Sequence, residues 1–309
     1  MQLRVAVAPL TSSWLDDAVV DAVVAGGGVV VDVHAAPEAL IWIDPTKLIE
    51  LQAVLDATPT ITWVQLPLAG VEKFFAAGVV DPRRTWTSAK GSYSEPVAEH
   101  ALALALAGLR ILPERARART WGRSAGLSLF DEAVTIVGGG GITSSLLQLL
   151  APFRVRATVV RQRPEPMARA ARVVGTNALM ESLTDARVVF LALALTPTNR
   201  HMFASAQFAA MDSNAWLVNV ARGGLVHTDD LVVALRNGVI GGAALDVTDP
   251  EPLPDGHPLW DLQNCLITPH VADTDEMVRP LLARRVTENV RLRIAEQPLV
   301  GLINLELGY

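Results

Sequence analysis

The chain has 309 residues, of which 50% are hydrophobic and only 5% aromatic, and its formal net charge is −6. This length exceeds one typical domain, so we expect two domains, with cores of Ala, Val and Leu. The negative balance argues against a nucleic-acid surface. The single cysteine, Cys265, excludes an internal disulfide, and its apolar neighbours predict a buried strand thiol. No basic and apolar leader precedes the strand-like start, so no signal peptide is expected.

Hydrophobic runs and turn residues alternate over the first part of the chain in the order expected for βαβ units. Strands are predicted at Arg4 to Pro9, Val29 to Val33, Ala39 to Ile43 and Ile61 to Gln65. Helices are predicted from the cap Ser13 to Ala25 and from Thr46 to Ala57. A late helix is predicted from Glu276 to Glu296 and should return to this first domain.

The most apolar stretch, Ala101 to Leu109, ends at Arg110 and is far shorter than the ~18 residues of a membrane span. Ala and Leu favour helices and Pro96 suits a first turn, so we predict a buried interdomain helix. The Arg-rich stretch Arg110 to Arg123 is interpreted as an exposed helix face or dimer contact rather than an RNA site. We therefore expect a cytoplasmic homodimer without nucleic-acid or membrane partners.

A glycine-rich loop lies in the middle of the chain. The β-branched run Ala133 to Val137 leads into four glycines, Gly138 to Gly141, and then into leucines at helical spacing. This order predicts a strand, a tight turn and a helix. The N–H groups at such a helix start can hold a pyrophosphate, so the loop indicates a dinucleotide site. Its pattern is G-x-G-x-x-T, because Thr143 replaces the third glycine, which normally permits close helix–strand packing.

The next predicted strand, Arg156 to Val160, ends in a basic loop that contains Arg161 and Arg163. A dinucleotide fold selective for NAD usually ends this strand in an acidic residue, which accepts from the ribose 2′-OH. Two guanidiniums can instead bind a 2′-phosphate through charge-assisted hydrogen bonds. The sequence therefore favours NADP, with NAD possible; the alternative is a basic loop that faces solvent.

Three short segments near the end of the chain supply a cation, a carboxylate and an imidazole. Arg222 lies in an Asn-Val-Ala-Arg-Gly-Gly run, Glu251 in Asp-Pro-Glu-Pro, and His270 in Thr-Pro-His. A guanidinium can bind a substrate carboxylate or polarise a carbonyl, and an imidazole can transfer a proton near neutral pH. The carboxylate can hold that imidazole in one tautomer. Singly each could be a surface group, but together with the glycine loop they indicate a catalytic set.

The other histidines carry weaker signals. His34 and His201 are interpreted as surface or capping groups, and His100, on the predicted apolar helix, as a residue that could be buried. No pair has the spacing of metal ligands with a Cys or carboxylate nearby, so no metal is expected.

The chain resembles the D-isomer-specific 2-hydroxyacid dehydrogenases, in particular their short glyoxylate/hydroxypyruvate-reductase-like members. The resemblance rests on the segments above and on Trp63-Val-Gln-Leu-Pro-Leu-Ala-Gly, Glu95-Pro-Val-Ala-Glu-His-Ala, Leu195-Thr-Pro and Ala244-Leu-Asp-Val. It extends over essentially the whole chain. Besides Thr143, the departures are His227, where the family often has Asp, and Arg154, where Gly is common.

The resemblance implies roles for individual residues. Arg222 would bind the substrate's carboxylate and carbonyl, His270 would be the general acid/base, and Glu251 would orient and charge His270. Backbone N–H groups at Ala69 and Gly70 would hold the substrate carboxylate. Asp246 and the Val220 carbonyl would position the nicotinamide amide. The candidate cofactor-binding residues are Gly138, Gly140, Gly141, Ile142, Arg161, Arg163, Thr196, Pro197, Val220, Ala221, Asp246 and Ala272.

The resemblance and the βαβ alternation together predict an α/β protein of two doubly wound parallel-sheet domains with a cleft between them. Residues 1–95 and 274–309 would form a flavodoxin-like substrate-binding domain, and residues 96–273 a Rossmann dinucleotide-binding domain.

We predict an NAD(P)-dependent dehydrogenase that reduces a small, glyoxylate- or hydroxypyruvate-like 2-oxo acid to the D-2-hydroxy acid with NADPH. Two alternatives stay open. One is a cofactor-sensing binding module without turnover, which the complete Arg, Glu and His set disfavours, although fold alone never fixes function. The other is a 3-phosphoglycerate dehydrogenase, disfavoured because Leu68 to Lys73 holds no basic cluster beyond Lys73.

Overall fold

The computed structural model describes residues 2–10, 14–122 and 124–306, so the predicted cap Ser13 lies outside the described residues. The chain divides into two compact units. Met1–Tyr93 and Thr274–Tyr309 form the first unit, and Ser94–Asp273 form the second unit. The helix that contains the predicted boundary at residue 95 begins at Ser94 and belongs entirely to the second unit.

The described part of the first unit contains a five-stranded sheet whose neighbouring strands are all parallel. Its elements are β1 (Arg4–Ala8), α1 (Trp14–Ala25), β2 (Val29–Val30), β3 (Ala39–Trp42), α2 (Leu48–Ala57), β4 (Trp63–Gln65), α3 (Glu72–Ala76) and β5 (Thr85–Thr87). The strand order β2-β1-β3-β4-β5 is that of a flavodoxin-like fold, the class predicted for this part of the chain. Strand β3 is buried along its whole length, as expected for a parallel sheet covered on both faces.

The second unit contains a seven-stranded parallel sheet among its described residues. Its elements are α4 (Ser94–Leu109), α5 (Leu112–Arg117), β6 (Ala133–Val137), α6 (Gly141–Leu150), β7 (Arg156–Val160), β8 (Arg172–Val174), α7 (Leu179–Leu183), β9 (Val188–Leu191), α8 (Ser205–Ala210), β10 (Trp216–Asn219), α9 (Thr228–Arg236), β11 (Gly242–Leu245) and β12 (Cys265–Ile267). The order β12-β11-β10-β9-β6-β7-β8 reverses direction between β6 and β9, as in a Rossmann fold. The predicted class, two doubly wound parallel-sheet units, is confirmed.

The last helix, α10 (Asp275–Ile294), belongs to the first unit and packs against α1. The Thr287 hydroxyl donates to the carbonyl of Ala22 at 3.0 Å, and Val286 and Val290 are fully buried. Burial of such apolar side chains stabilises the folded state by roughly 1.5–3 kcal/mol each. This packing explains why the chain returns to its first unit after completing the second.

Helix α4 packs against α6, β10 and β11 within the second unit. Ala101, Leu104 and Ala105 supply its buried apolar contacts. The helical prediction for this Ala/Leu-rich run was therefore right despite its strand-like alternation, because both residue types favour helices. The half-buried His100 directly precedes this apolar run.

Several predicted element bounds were wrong, and side-chain hydrogen bonds account for two of them. The strand predicted to reach Val33 ends at Val30, just before a turn in which the Asp32 carboxylate accepts from the His34 N–H at 2.8 Å. The helix predicted from Thr46 begins at Leu48, because Asp44 accepts from both the N–H and the hydroxyl of Thr46. Asp side chains that bond to nearby backbone groups compete with regular structure in this way.

Candidate active site

The candidate residues of the second unit lie at the carboxyl ends of neighbouring parallel strands. The glycine loop follows β6, and Thr196 and Pro197 follow β9. Val220, Ala221 and Arg222 follow β10, Asp246 follows β11, and His270 and Ala272 follow β12. In open α/β sheets ligands bind outside these strand ends, at the point where the strand order reverses. The fold therefore brings residues up to 134 positions apart, from Gly138 to Ala272, to one edge of a single sheet.

The glycine loop has the geometry of a phosphate-binding turn. Gly138 adopts a φ of +120°, and a Cβ there would collide with the carbonyl oxygen of Ala192. A Cβ on Gly140 would meet open space, so backbone is exposed to a ligand there. Among the described residues, the N–H groups of Gly141 and Ile142 have no backbone acceptor. These donors at the start of α6 fit a pyrophosphate, and the loop therefore fits the dinucleotide that the sequence predicts.

Thr143, the departure from the glycine pattern, is fully buried in the first turn of α6. Its hydroxyl donates to the carbonyl of Gly138 at 3.1 Å. The larger side chain is thus accommodated by a hydrogen bond that closes the glycine loop on itself.

The two arginines after β7 differ in their surroundings. Arg161 is half-buried and lies over the glycine loop, since a Cβ on Gly139 would come within 2.7 Å of its Cδ and Nε atoms. Its guanidinium is 3.9 Å from the Glu165 carboxylate, a long and weak ion pair. Arg163 is exposed. Arg161 is therefore the arginine that the structure brings to the glycine loop.

Arg222 sits in a loop that buried side chains hold in place. Asn219, fully buried at the end of β10, accepts from the Ala221 N–H and donates to the Arg222 carbonyl. The Arg222 guanidinium donates to the Ala221 carbonyl at 2.7 Å. A Cβ on Gly223 would collide with the carbonyl of Thr248, so glycine is required for this loop to touch the segment that leads to Glu251.

His270 and Glu251 form a direct pair. His270 Nδ1 lies 2.6 Å from Glu251 Oε1, and both side chains are a little over 40% exposed. His270 has a φ of +54°, a conformation that a non-glycine residue adopts only where its surroundings impose it. Its N–H donates to the Asp246 carbonyl at 2.8 Å. The structure thus brings this predicted pair together and leaves part of the imidazole accessible.

Asp246, predicted as a cofactor contact, is 2% exposed and has several internal partners. Its Oδ1 accepts from the Thr268 hydroxyl at 2.6 Å and the Val271 N–H at 3.0 Å, and its Oδ2 accepts from the Ala272 N–H at 3.1 Å. Burial alone would raise the pKa of Asp246, but hydrogen bonds from His100, Thr268 and these N–H groups lower it to about 2. Asp246 therefore holds the segment that carries His270.

Two further residues belong to this site although the sequence did not single them out for it. His100 Nε2 lies 3.0 Å from the Thr268 hydroxyl oxygen and 3.3 Å from Asp246 Oδ1. The pKa of Asp273 is raised, mainly by burial and also by the nearby Asp246 carboxylate. His270 and Arg222, which lie close by, offset part of this rise. For Asp273 the only sequence signal was its position three residues after His270.

The remaining departures lie outside these contacts. His227 precedes α9, with its Nδ1 3.2 Å from Asp230, and its ring packs edge-on against His201. Arg154 adopts a φ of +54°, which suits the glycine common at this position, and forms two hydrogen bonds with Asp131. The exposed His34 and His201 agree with their surface interpretation.

In the first unit, the predicted substrate contacts Ala69 and Gly70 follow β4. Ala69 is exposed and Gly70 half-buried. Neither N–H donates a backbone hydrogen bond among the described residues, so both remain able to bind an anion.

Within the described residues, no group of three or more His, Cys, Asp or Glu side chains is arranged to hold a metal ion. Among the helices that the structure describes, none has the length and apolar character needed to cross a membrane.

Comparison with known proteins identifies the class. Residues 100–272, more than half of the chain, match the family described as D-isomer specific 2-hydroxyacid dehydrogenase, NAD binding domain. The chain is 37% identical over 260 residues to an uncharacterized protein in the proB 3′ region of Corynebacterium melassecola, covering 82% of this chain and 86% of that one. It is 33% identical over 184 residues to the Homo sapiens glyoxylate reductase/hydroxypyruvate reductase, covering 58% of this chain and 55% of that enzyme.

A solved structure shares the fold over its whole length. The D-isomer specific 2-hydroxyacid dehydrogenase from Xanthobacter autotrophicus Py2, in complex with NADPH and MES, superposes with a TM-score of 0.85 at 24% identity and covers 100% of both chains. The family match and the named relatives identify the protein as an NAD(P)-dependent oxidoreductase. The chain belongs to the D-isomer-specific 2-hydroxyacid dehydrogenase family.

Proposed function

We propose that the protein reduces a small 2-oxo acid of the glyoxylate or hydroxypyruvate kind to its D-2-hydroxy acid with NADPH. The observation that carries this proposal is the 2.6 Å contact between His270 Nδ1 and Glu251 Oε1. A carboxylate at Nδ1 fixes the tautomer and leaves Nε2 to exchange a proton with a substrate oxygen. The name of the human relative supports the substrate class.

The remaining roles follow from the placement of each residue. Arg222 would bind the substrate carboxylate and polarise the carbonyl, because a guanidinium matches such oxygens in geometry and charge. Protonated His270 would donate to the oxygen that becomes the hydroxyl, and Glu251 would stabilise its charge. A bound reduced nicotinamide would supply the hydride. The N–H groups of Ala69 and Gly70 would hold the carboxylate, and the first unit would then be the substrate-binding domain.

The second unit would bind the dinucleotide. The N–H groups of Gly141 and Ile142 would hold the pyrophosphate. They lie at the start of α6, directly after the loop that contains Gly138 and Gly140. The buried Asp246 would position the nicotinamide amide by holding the N–H groups of Val271 and Ala272 at this edge of the sheet. The other proposed contacts are Thr196, Pro197, Val220, Ala221 and Ala272, which all lie at the same edge of the sheet.

We propose further that NADPH binds more tightly than NADH. Arg161 lies over the glycine loop with only a weak ion pair, so its guanidinium is able to take a 2′-phosphate, and Arg163 is exposed nearby. Each charged hydrogen bond contributes about 1.5–3 kcal/mol, which is roughly tenfold or more in affinity. The NADPH complex of the Xanthobacter autotrophicus structure supports the use of this cofactor.

A substrate panel tests the reaction. Purified protein is mixed with NADPH and glyoxylate, hydroxypyruvate, phenylpyruvate or 3-phosphohydroxypyruvate, and the reduced-nicotinamide absorbance is followed. Turnover of glyoxylate or hydroxypyruvate, with a D product on chiral chromatography, is expected. Preference for the phosphorylated acid would identify a 3-phosphoglycerate dehydrogenase instead. NADPH binding without turnover on any 2-oxo acid would favour a cofactor-sensing module.

Cofactor titrations test the preference. Quenching of tryptophan fluorescence gives the dissociation constants of NADPH and NADH for the unmodified protein and for the Arg161→Ala, Arg163→Ala double variant. The double variant should bind NADPH at least tenfold more weakly and NADH almost unchanged. Arg169→Ala, a basic residue further along the chain, is the control. Equal constants for both cofactors in the unmodified protein would contradict the proposal.

A further inference from the structure

Three polar side chains behind the His270 segment form a continuous chain of hydrogen bonds. His100, on α4, lies 3.0 Å from the Thr268 hydroxyl oxygen through its Nε2 atom. Thr268 follows β12, and its hydroxyl lies 2.6 Å from Asp246 Oδ1 at the end of β11. These hydrogen bonds thus link a helix to the ends of two strands, entirely within the second unit.

The directions of these bonds follow from the chemistry of Asp246. Its pKa of about 2, set by the balance of burial against hydrogen bonds, makes it an ionised acceptor at neutral pH. The Thr268 hydroxyl has one proton, which it donates to Oδ1. Its oxygen must then accept from His100, so Nε2 of His100 carries a proton. With the other tautomer, His100 and Asp246 would compete for the same hydroxyl proton.

Asp246 connects these hydrogen bonds to the segment that carries His270, the proposed general acid. Its carbonyl accepts from the N–H of His270, and its carboxylate accepts from the N–H groups of Val271 and Ala272. His270 has a positive φ, which must be imposed by its surroundings. The orientation of a single carboxylate therefore determines how firmly Val271 and Ala272, the two residues directly after His270, are held.

We propose that His100 is a positioning residue: by donating to the Thr268 hydroxyl, with Asp246 Oδ1 also only 3.3 Å away, it fixes the Asp246 carboxylate, which holds the backbone at residues 271 and 272 and so keeps the His270 imidazole against Glu251. The kinetic part of this proposal rests on the function proposed above, whereas its structural part does not. His100 acts through other residues and needs no contact with substrate or cofactor.

Substitutions distinguish a hydrogen-bond donor role of His100 from a role in packing alone. His100→Met removes the donor and keeps an apolar side chain of comparable length, and Thr268→Val removes the hydroxyl with little change in shape. His100→Gln keeps an N–H near the position of Nε2. His34→Met, at an exposed histidine of the first unit, is the matched control.

Steady-state kinetics give the first measurement. His100→Met and Thr268→Val should each lower kcat by about three- to tenfold, the factor that corresponds to loss of one hydrogen bond, with KM nearly unchanged. The effects of the two substitutions should be less than additive in the double variant, because both act on the same carboxylate of Asp246. His100→Gln should retain kcat within about twofold of the unmodified protein. If the glutamine variant is as slow as the methionine variant, the donor role is wrong.

Amide hydrogen exchange at Val271 and Ala272 gives a second measurement that needs no substrate. Exchange should be faster in His100→Met and Thr268→Val, and unchanged in His100→Gln and His34→Met. Unchanged exchange in both donor-free variants would overturn the proposal. If the unmodified protein reduced no 2-oxo acid, the proposed function would fail while this measurement still decided the role of His100. If His100→Met failed to fold, Thr268→Val would carry the same test.

Discussion

At the scale of single residues, His270 is the group on which the proposed chemistry depends most. His270→Ala should lower turnover by roughly 10²–10⁴-fold, the usual contribution of a positioned general acid. NADPH affinity should stay nearly unchanged, because the glycine loop is untouched. Stopped-flow reduction of glyoxylate measures the turnover, and quenching of tryptophan fluorescence measures the NADPH affinity. His34→Ala is the control for both measurements. Full activity in His270→Ala would mean that another group supplies the proton.

Glu251 predicts a loss of turnover when its carboxylate is replaced. The carboxylate lies 2.6 Å from His270 Nδ1 and holds the ring in one tautomer. Glu251→Gln presents an amide that can either donate or accept, so the tautomer is no longer fixed and kcat should fall by at least about tenfold. Initial rates at saturating glyoxylate and NADPH compare the two proteins. An unchanged kcat in Glu251→Gln would show that the carboxylate does not position His270.

Cys265 should be chemically silent in the folded protein. Burial raises the pKa of its thiol to about 12, so the reactive thiolate is scarce at pH 8. A chromogenic disulfide reagent should label no thiol in native protein and one per chain after unfolding in guanidinium. Rapid labelling of native protein would show that β12 opens readily.

At the scale of elements, two glycines of one loop should respond differently to the same substitution. Gly138→Ala should destabilise the protein by at least 1 kcal/mol, because its φ is positive and its Cβ would collide with Ala192. Gly140→Ala should leave the melting temperature nearly unchanged but weaken NADPH binding, since its Cβ would point into the space proposed for the pyrophosphate. Thermal melts and cofactor titrations on both variants test this pair. Unchanged NADPH affinity in Gly140→Ala would show that the pyrophosphate binds elsewhere.

Elements were predictable where a local pattern determines them. The strand before Gly138 is a β-branched run that ends in glycines, and its predicted bounds agree with β6. The start of α2 was not predictable from helical spacing, because the turn around Asp44 decides it. The contact of His100 with Thr268 joins residues 168 positions apart, and nothing in the sequence near either residue signals it. Long-range polar pairs of this kind depend on the strand order of the sheet.

At the scale of the whole molecule, Asp246 predicts how stability depends on pH. Its pKa falls from an ordinary 3.8 to about 2 in the folded state. A group with a depressed folded pKa stabilises the protein fully above its unfolded pKa and loses that contribution as pH falls through the folded value. The shift corresponds to about 2 kcal/mol, lost between roughly pH 4 and pH 2. Urea unfolding measured across this pH range should show a smaller decline in the free energy of unfolding for Asp246→Asn than for the unmodified protein. Equal declines would show that Asp246 is not the group responsible.

The cytoplasmic homodimer expected from the sequence stays a prediction. Light scattering on the purified protein gives its mass in solution, and twice the 33.0 kDa of the chain is the expected result.

The division of the chain into two units has an evolutionary consequence. The glycine loop, Arg222, Glu251 and His270 all belong to residues 94–273, whereas Ala69 and Gly70 belong to the other unit. Mutations that remodel the surroundings of Ala69 and Gly70 can therefore accumulate without altering the groups proposed to handle protons and cofactor. Under the proposed roles, a new substrate preference arises from substitutions in one unit while the other unit keeps its residues.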